Sequence, residues 1–297
     1  MSFARKDIYY NIFKRVKSVP ILKHLFCSRR TGVRCLLLHR IDEYDLDSLH
    51  ALLKVMDDNF GFISPEDFFT HLRGDKVISA TKLLLTFDDG FKSDRIVVDQ
   101  ILKGMGIKAL FFVCPKIVET ADKISPDFMK MVQDNVFNGL KPSLLTPKDY
   151  NFMNWEDLMV LVNEGHTIGS HTMTHKRLSA IKDANELRTE IAASKIDLET
   201  RLKIKVDCFS YPFGNNQSIN ASAYKIMVKH YDYCFTGLRG LNTASVSPHH
   251  LFRDKIEVEE GNEFNLNILE GMMDWYYWLK KGELRKISGI TSGRAQQ

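Results

Sequence analysis

The chain has 297 residues, 44% hydrophobic and 26% charged, a composition typical of a globular protein with one large α/β domain or two smaller ones. It contains no apolar run of about 18 residues, so we expect no transmembrane helix. It also has no CxxC pair, so we expect no disulfide framework and a protein that resides in a reducing compartment. The net charge of +4 is unevenly distributed, because residues 1–34 hold nine lysines or arginines and one acid.

Residues 1–33 are predicted to form a basic helical segment. Ile8, Ile12 and Val16 recur at helical spacing between basic residues, which predicts an amphipathic helix ending near Pro20. This helix either packs on the domain with a solvated basic face, contacts an anionic membrane, or contacts nucleic acid. No nucleic-acid-binding signature accompanies the charge, so nucleic acid is not an expected partner. The segment also lacks the features of a signal peptide, which predicts a cytoplasmic protein or one peripheral at the inner membrane.

Seven apolar runs of strand length alternate with helix-like stretches. The runs cover residues 35–41, 82–89, 108–114, 166–172, 208–213, 232–237 and 251–258. Buried strands that alternate with helices predict a parallel sheet covered by helices. About seven strands suit a barrel better than a small open sheet, although the count alone does not decide between them.

The helical pattern sets the domain limits. Asn154 is predicted to cap a helix that stops at Gly165, and residues 115–153 are predicted to be a long loop with one short helix. A final amphipathic helix is expected from Glu263 to Lys280. The catalytic domain is therefore predicted to span residues 34–282, followed by a flexible tail over 283–297.

Chemically reactive residues follow several of these strands. In a barrel or an open sheet of parallel strands, a catalytic or binding site is expected at the C-terminal ends of the strands. The candidates at those ends are His39 after strand one, Asp88 and Asp89 after strand two, His171 and His175 after strand four, and Pro212 and Phe213 after strand five. All of them fall on one rim.

Two histidines and one carboxylate form a three-ligand site with open positions, typical of catalytic zinc or a similar divalent ion. The HxxxH spacing alone is more often a pair of surface histidines, and an isolated Asp-Asp pair indicates even less. Their joint occurrence at two strand ends predicts a metal site. One aspartate would then bind the ion, and the other would take the proton from the attacking water.

The motifs TFDDG, HTMTH and FSYPFG resemble, in order and spacing, the first three motifs of the polysaccharide deacetylases related to the rhizobial chitooligosaccharide deacetylase, carbohydrate esterase family 4. The resemblance runs from about Arg34 to Glu259 and includes LLLHRID and NWEDLMVLVNEGHTIGSH. It implies a distorted (β/α) barrel of the NodB-homology type and removal of N- or O-acetyl groups from sugars. It also implies one divalent metal ion, with Zn²⁺ as the first expectation and Co²⁺, Ni²⁺ or Fe²⁺ as alternatives.

The same resemblance assigns roles to individual residues. Asp88 matches the catalytic base, and Asp89, His171 and His175 match the metal ligands. In the third motif, the backbone N–H after the proline helps to hold the oxyanion, which assigns substrate and oxyanion contacts to Tyr211, Pro212 and Phe213.

The sequence departs from the family at two positions. The arginine expected two residues before the proline is Ser210, so Arg253 is expected to supply the guanidinium, with a structural ion pair as the alternative. The family's late histidine, which protonates the leaving amine, has no clear match. His39 is the candidate for a substrate contact or acid, unless it is a core histidine, while His249 and His250 should lie at the wrong end of the barrel.

These features predict a metal-dependent deacetylase in bacterial surface-polysaccharide synthesis, of lipopolysaccharide or capsule. The expected substrate is an acetylated sugar, a nucleotide-linked sugar or a lipid-linked glycan precursor, and the peripheral membrane contact would involve residues 1–30. Two alternatives remain: a metal-dependent amidohydrolase acting on a non-sugar amide, and a catalytically weak glycan-binding homologue. The sequence does not predict the oligomeric state.

Overall fold

Seven parallel strands form the centre of the computed structural model, which describes residues 31–289. The strands are β1 (Gly32–Leu38), β2 (Thr81–Phe87), β3 (Leu110–Val113), β4 (Thr167–Ser170), β5 (Cys208–Ser210), β6 (Tyr233–Phe235) and β7 (Arg253–Lys255). Their order in the sheet is β6-β5-β4-β3-β2-β1-β7. Each predicted strand overlaps an observed one. The observed strands end earlier than predicted, so the candidate residues lie in the loops that follow them.

The two outer strands of this order approach each other and nearly close the barrel. A parallel bridge joins Phe235 at the end of β6 to Leu251, just before β7. The Thr236 N–H donates to the Leu251 carbonyl at 2.8 Å, and the Arg253 N–H donates to the Leu238 carbonyl at 2.9 Å. The predicted (β/α) barrel is therefore confirmed.

Alternate residues of each strand face the barrel interior, because side chains alternate across a strand. Cys35 pairs in register with Leu84 on one side and with Arg253 on the other, so these three side chains share the inner face. The buried apolar cluster on this face comprises Val33, Cys35, Leu84, Leu110, Phe112, Cys208, Phe235 and Leu251. A larger cluster lies between the strands and the surrounding helices. Arg253 is thus a charged side chain inside an apolar barrel.

Helices cover the outside of the barrel. They are α1 (Leu46–Phe60), α2 (Pro65–Leu72), α3 (Lys92–Val97), α4 (Pro115–Thr120), α5 (Pro126–Asn135), α6 (Trp155–Asn163), α7 (Ala184–Arg188), α8 (Ser194–Leu202), α9 (Ala221–His230), α10 (Gly261–Leu269) and α11 (Asp274–Ile287). Asn154 caps α6 as predicted, since its side chain accepts from the Asp157 N–H. No helix within residues 31–289 is long and apolar enough to cross a membrane.

Residues 115–153 contain more helix than the sequence predicted. Two helices, α4 with 6 residues and α5 with 10 residues, form where the sequence predicted one short helix. Helix α5 begins where the Ser125 side chain accepts from the Phe128 N–H, and Pro126 occupies its first turn. Its buried side chains, Phe128 and Val132, are four residues apart, but this is too short a pattern to show a clear period in the sequence.

The C-terminal region also differs from its prediction. The single helix expected from Glu263 to Lys280 is two helices, because the chain turns at Gly271, where φ is 100°. Helix α11 continues through Ile287, so the start of the predicted flexible tail is helical instead. The barrel begins at Gly32, before the predicted boundary. The predicted basic helix lies outside the described residues.

Leu284 anchors this last helix and is 2% exposed. Replacement with alanine should lower the free energy of unfolding by about 2–5 kcal/mol, because the substitution leaves a cavity. Chemical denaturation monitored by circular dichroism measures the change. Lys286→Ala, an exposed position on the same helix, is the control and should change stability by less than about 0.5 kcal/mol. Equal stability of both variants would show that α11 does not pack on the barrel.

Candidate metal and catalytic site

Asp89, His171 and His175 offer three ligand atoms that lie within 4.8 Å of one another. The Asp89 Oδ1 is 3.0 Å from His175 Nε2 and 3.5 Å from His171 Nε2. All three side chains are buried. Two imidazoles and one carboxylate are a ligand set that zinc and related divalent ions accept. The structure thus brings together the three residues that the sequence predicted as ligands.

Backbone carbonyls orient both imidazole rings. His171 Nδ1 donates to the Ser210 carbonyl at 2.6 Å, and His175 Nδ1 donates to the Asn135 carbonyl at 2.9 Å. Each Nδ1 therefore carries a proton, and each Nε2 faces Asp89. Such contacts fix the tautomer of histidines that bind metals. The three side chains could hold a metal ion through these atoms.

The two histidines differ in their protonation. Burial lowers the pKa of His171 to about 4, so this ring is neutral near pH 7. Burial also lowers the pKa of His175, but the charge and hydrogen bond of Asp89 outweigh it, and the net shift is upward. Burial raises the pKa of Asp89, and the contacts with His175 reverse this to a net decrease. A proton therefore competes with a metal ion more strongly at His175 than at His171.

Unusual backbone conformations concentrate at the site. Among the described residues, five non-glycine residues have positive φ, and four of them surround the metal ligands: Asp89 (74°), Thr172 (67°), His175 (63°) and Phe213 (64°). Such conformations cost energy and cluster at functional sites. The positive φ at Asp89 explains how adjacent acids separate. Asp88 keeps the strand direction toward Arg253, and Asp89 turns toward the histidines.

Glu190 supports the loop that carries His175. Its carboxylate accepts from the Thr174 N–H at 2.9 Å and from Thr174 Oγ1 at 2.6 Å, and its carbonyl accepts from the Met173 N–H. Glu190 lies in a π-helical turn, Thr189–Ala193, between α7 and α8. Sequence reasoning missed it, because a π turn adds one residue and shifts a side chain from the face that regular helical spacing assigns.

Asp88 forms a bidentate ion pair with Arg253. Arg253 Nη1 donates to Asp88 Oδ1 at 2.6 Å, and Nη2 donates to Oδ2 at 2.8 Å. Nη2 also donates to Ser210 Oγ at 2.7 Å, and Nε donates to the Thr236 carbonyl at 2.9 Å. The predicted contact between Arg253 and the carboxylate is present. Ser210, where the resemblance expects arginine, instead accepts a hydrogen bond from the arginine of β7.

This pair keeps Asp88 ionised. Burial raises the pKa of Asp88, but the charge of Arg253, then that of His171 and the Arg253 hydrogen bonds, lower it below the usual value. Asp88 Oδ2 lies 3.8 Å from His171 Nε2, beside the three ligand atoms. The arrangement provides an ionised carboxylate next to a metal site, as a general base requires.

A third carboxyl, Asp94, lies below the site and was not predicted. Its side chain is fully buried, and its Oδ2 has no hydrogen-bond partner among residues 31–289. Burial, followed by the charge of Asp89, raises the pKa of Asp94 well above the usual value. Burial thus favours the protonated form of Asp94. The only sequence signal for it is its position five residues after Asp89.

The FSYPFG motif forms a tight turn. The Gly214 N–H donates to the Tyr211 carbonyl at 3.2 Å, with Pro212 and Phe213 between them. Proline followed by a residue of positive φ is the pattern of a type II turn. Gly214 is required there, because a Cβ would approach the Gly237 nitrogen to 2.4 Å. Phe213 lines the cavity, Pro212 is buried, and Tyr211 is only 1% exposed and packs in the core instead of contacting the cavity.

The site opens into a cavity of about 390 Å³. His39 lines this cavity, as its predicted role requires. The wall also contains residues that sequence reasoning missed: the polar Arg239, Lys255 and Glu257, and the apolar Phe264, Ile268, Met272, Met273 and Tyr277. His249 and His250 do not line it. The His250 ring packs on Tyr224, and His249 Nε2 contacts the Tyr231 carbonyl, in agreement with their predicted location.

A model of the polysaccharide deacetylase family matches residues 76–230, just over half of the chain. The chain therefore belongs to the polysaccharide deacetylase family, which places it among hydrolases that act on carbon–nitrogen bonds and implies a glycan substrate. The resemblance of the motifs is confirmed by this match.

Solved structures share the fold. The deacetylase PplD of Streptococcus pyogenes, solved with acetate, is 20% identical and has a TM-score of 0.61, covering 81% of this chain and 98% of that one. A de-N-acetylase from Aggregatibacter actinomycetemcomitans is 18% identical with a TM-score of 0.63, covering 80% and 99%. A gellan lyase from a Bacillus species is 24% identical over 178 residues, 60% of this chain but only 6% of the lyase.

The raised pKa of His175 predicts that metal affinity depends on pH. Affinity for Zn²⁺ should fall by up to about tenfold per pH unit below that pKa, because the ion competes with the proton. Isothermal titration calorimetry at pH 6 and pH 8, in buffers of different ionisation enthalpy, measures affinity and proton release together. His249→Gln should bind Zn²⁺ like the wild type, whereas His175→Ala should bind Zn²⁺ weakly at both pH values. An affinity independent of pH would contradict the protonation assigned to His175.

Proposed function

We propose that the chain is a metal-dependent deacetylase that hydrolyses an N-acetyl or O-acetyl group on a sugar or glycan precursor. The supporting observation is the ligand group Asp89, His171 and His175 beside the ionised Asp88, at one wall of a cavity. The family match supports the deacetylase reaction, and two of the structural neighbours are described as deacetylases.

Asp89, His171 and His175 would hold a divalent ion, which would supply Lewis acidity for the acyl carbonyl and would acidify the attacking water. Zn²⁺ is the ion we propose, since imidazole and carboxylate ligands suit it. Asp88 accepts the proton of the attacking water. A carboxylate is a weak base, and it suffices here because the water is acidified. The backbone N–H of Phe213 stabilises the oxyanion, a contribution of about 3 kcal/mol for a single donor.

Arg253 orients the base and holds it in the ionised form. Its two Nη atoms fix both Asp88 oxygens, and contacts to Ser210 and Thr236 fix the guanidinium. We propose His39 as the acid that protonates the leaving group. His39 lines the cavity and directly follows β1, the strand that pairs with β2.

The substrate that we propose is a nucleotide-linked sugar or a lipid-linked glycan precursor of surface-polysaccharide synthesis, handled in the cytoplasm or at the inner membrane. The cavity wall combines charged and apolar side chains, which suits a substrate with both a polar and an apolar part. Arg239 lies 3.8 Å from Asp254 and Lys255 lies 3.5 Å from Glu257, and Ile268, Met272 and Met273 provide an apolar surface. A soluble acetylated saccharide is the simplest version of the same substrate class.

The role of Asp88 is tested by Asp88→Asn. The variant should keep one metal ion per chain and lose acetate release by about 10²–10⁴-fold, because asparagine cannot accept the proton. Metal content and acetate release are measured together on a panel of N-acetylated sugars, nucleotide-linked sugars and non-sugar amides. Asp94→Asn is the matched control, since the Asp94 carboxyl is a nearby buried acid that forms no hydrogen bond or ion pair with Asp88, Asp89 or the two histidines, and it should retain activity.

The panel also separates the alternatives. Acetate release only from non-sugar amides would indicate the amidohydrolase. Metal and sugar binding without turnover would indicate a glycan-binding homologue. A wild-type chain that binds no metal would contradict the proposed mechanism.

Removal of Arg253 should change both stability and pH dependence. Asp88 has a lowered pKa in the folded chain, so its ionised form stabilises the fold above its usual pKa, and this stabilisation is lost as the pH falls through the lowered value. Arg253→Met leaves Asp88 buried without a cation and should lower the free energy of unfolding by about 3–5 kcal/mol. The acid limb of the kcat/KM profile should move to higher pH.

Arg253→Lys should restore part of both effects, because lysine supplies the charge but not the bidentate contact. Arg73→Met, at an exposed ion pair, should change neither the profile nor the stability. If the acid limb of Arg253→Met stays in place, Arg253 is a structural ion pair only.

A further inference from the structure

The outer face of helix α11 carries two exposed tryptophans. Trp275 is 56% exposed and Trp278 is 67% exposed, whereas Leu284 is buried. At about 100° per residue, Trp275, Trp278, Gly282, Arg285 and Lys286 fall within an arc of about 100°, and Leu284 lies on the opposite side. This arc, which we call the tryptophan stripe, ends in a basic turn.

The composition of the tryptophan stripe is unusual for a helix that faces water. Tryptophan is largely buried on average in folded proteins, and the solvent face of a helix is normally polar. The stripe contains no acid. Glu283 lies beside it and accepts a hydrogen bond from Asn216. Tryptophan next to arginine and lysine is the composition of a protein surface at a membrane interface, where the indole lies among headgroups and the cations face lipid phosphates.

The tryptophan stripe is separate from the sugar-binding cavity. Tyr277, which lines the cavity, lies on the side of α11 opposite to Trp275, about 160° away at helical spacing. A sugar bound in the cavity therefore does not stack on these tryptophans. Helix α11 is about 10–12 Å in diameter with its side chains. Its side with Tyr277 forms part of the cavity wall, and its side with Trp275 carries the tryptophan stripe.

We propose that helix α11 docks the protein on an anionic lipid surface. Trp275 and Trp278 enter the headgroup region, and Arg285 and Lys286 contact lipid phosphates. Residues 1–30, outside the described range, hold eight lysines or arginines and one acid, so this segment has the same sign of charge as Arg285 and Lys286. Docking places the cavity one helix from the lipid surface and favours the lipid-linked form of the substrate. This last preference, but not the docking itself, rests on the proposed deacetylase function.

Sedimentation with vesicles tests the docking. The full chain is mixed with vesicles of 70% phosphatidylcholine and 30% phosphatidylglycerol, and with phosphatidylcholine alone. The wild type should prefer the anionic vesicles. Trp275→Ala/Trp278→Ala should bind at least about tenfold more weakly, and Arg285→Gln/Lys286→Gln should lose the preference for anionic lipid.

Tyr44→Ala is the matched control, because Tyr44 is an aromatic residue that is 79% exposed elsewhere on the surface, and it should bind like the wild type. Thermal melting verifies that each variant folds. Acetate release from a soluble sugar should be the same for the wild type and the double tryptophan variant. The binding result needs no turnover, so failure of the docking and failure of the proposed function are distinguishable.

Two results would overturn the proposal. The first is a failure of the wild type to bind anionic vesicles, or equal binding of these vesicles by the wild type and the double tryptophan variant. The second is a dimer in sedimentation velocity, without lipid, that the double tryptophan variant abolishes, which would assign the stripe to a second copy of the chain.

Discussion

The burial of two adjacent carboxylates at the end of β2 is the constraint on which the site depends. Asp88 is 3% exposed and Asp89 is 7% exposed, and a buried charge without a partner destabilises a fold by several kcal/mol. The positive φ at Asp89 sends the two side chains to different partners. Asp88 is stabilised by Arg253, and Asp89 by the histidines and the ion that they would share. Each acid thus acquires a different chemical role from its own partner.

The ion pair of Asp88 also connects the chemistry to the closure of the barrel. Arg253 is the first residue of β7, and its guanidinium contacts the ends of three other strands through Asp88, Ser210 and the Thr236 carbonyl. Its position in register with Cys35 places it below the rim, so only a long side chain reaches the carboxylate. The small Ser210 leaves the space for it. Closure of the barrel and ionisation of the base therefore depend on the same side chain.

Sequence reasoning predicted the strands because an apolar run bounded by turn or polar residues is a local signal. The metal ligands were predicted only because an Asp-Asp pair and a histidine pair occur together, each at the end of a predicted strand. The residues that support the site were harder to predict from the sequence. Glu190 faces the site only through a π turn, and Asn135 acts through its carbonyl, which any residue could supply. Tyr211 was assigned to the substrate because it adjoins Pro212, but alternation along the chain turns it into the core.

The family match covers only part of the candidate site. It ends at residue 230 and includes Asp88, Asp89, His171, His175 and Phe213, whereas His39 precedes the matched segment and Arg253 follows it. Arg239, Lys255 and the apolar wall from α10 and α11 lie beyond it. These later residues shape the cavity, and α11 presents the tryptophan stripe on its other side. Asp89, His171 and His175 lie outside α10 and α11, so changes in these helices can alter the cavity wall while the three side chains that could hold a metal ion stay in place.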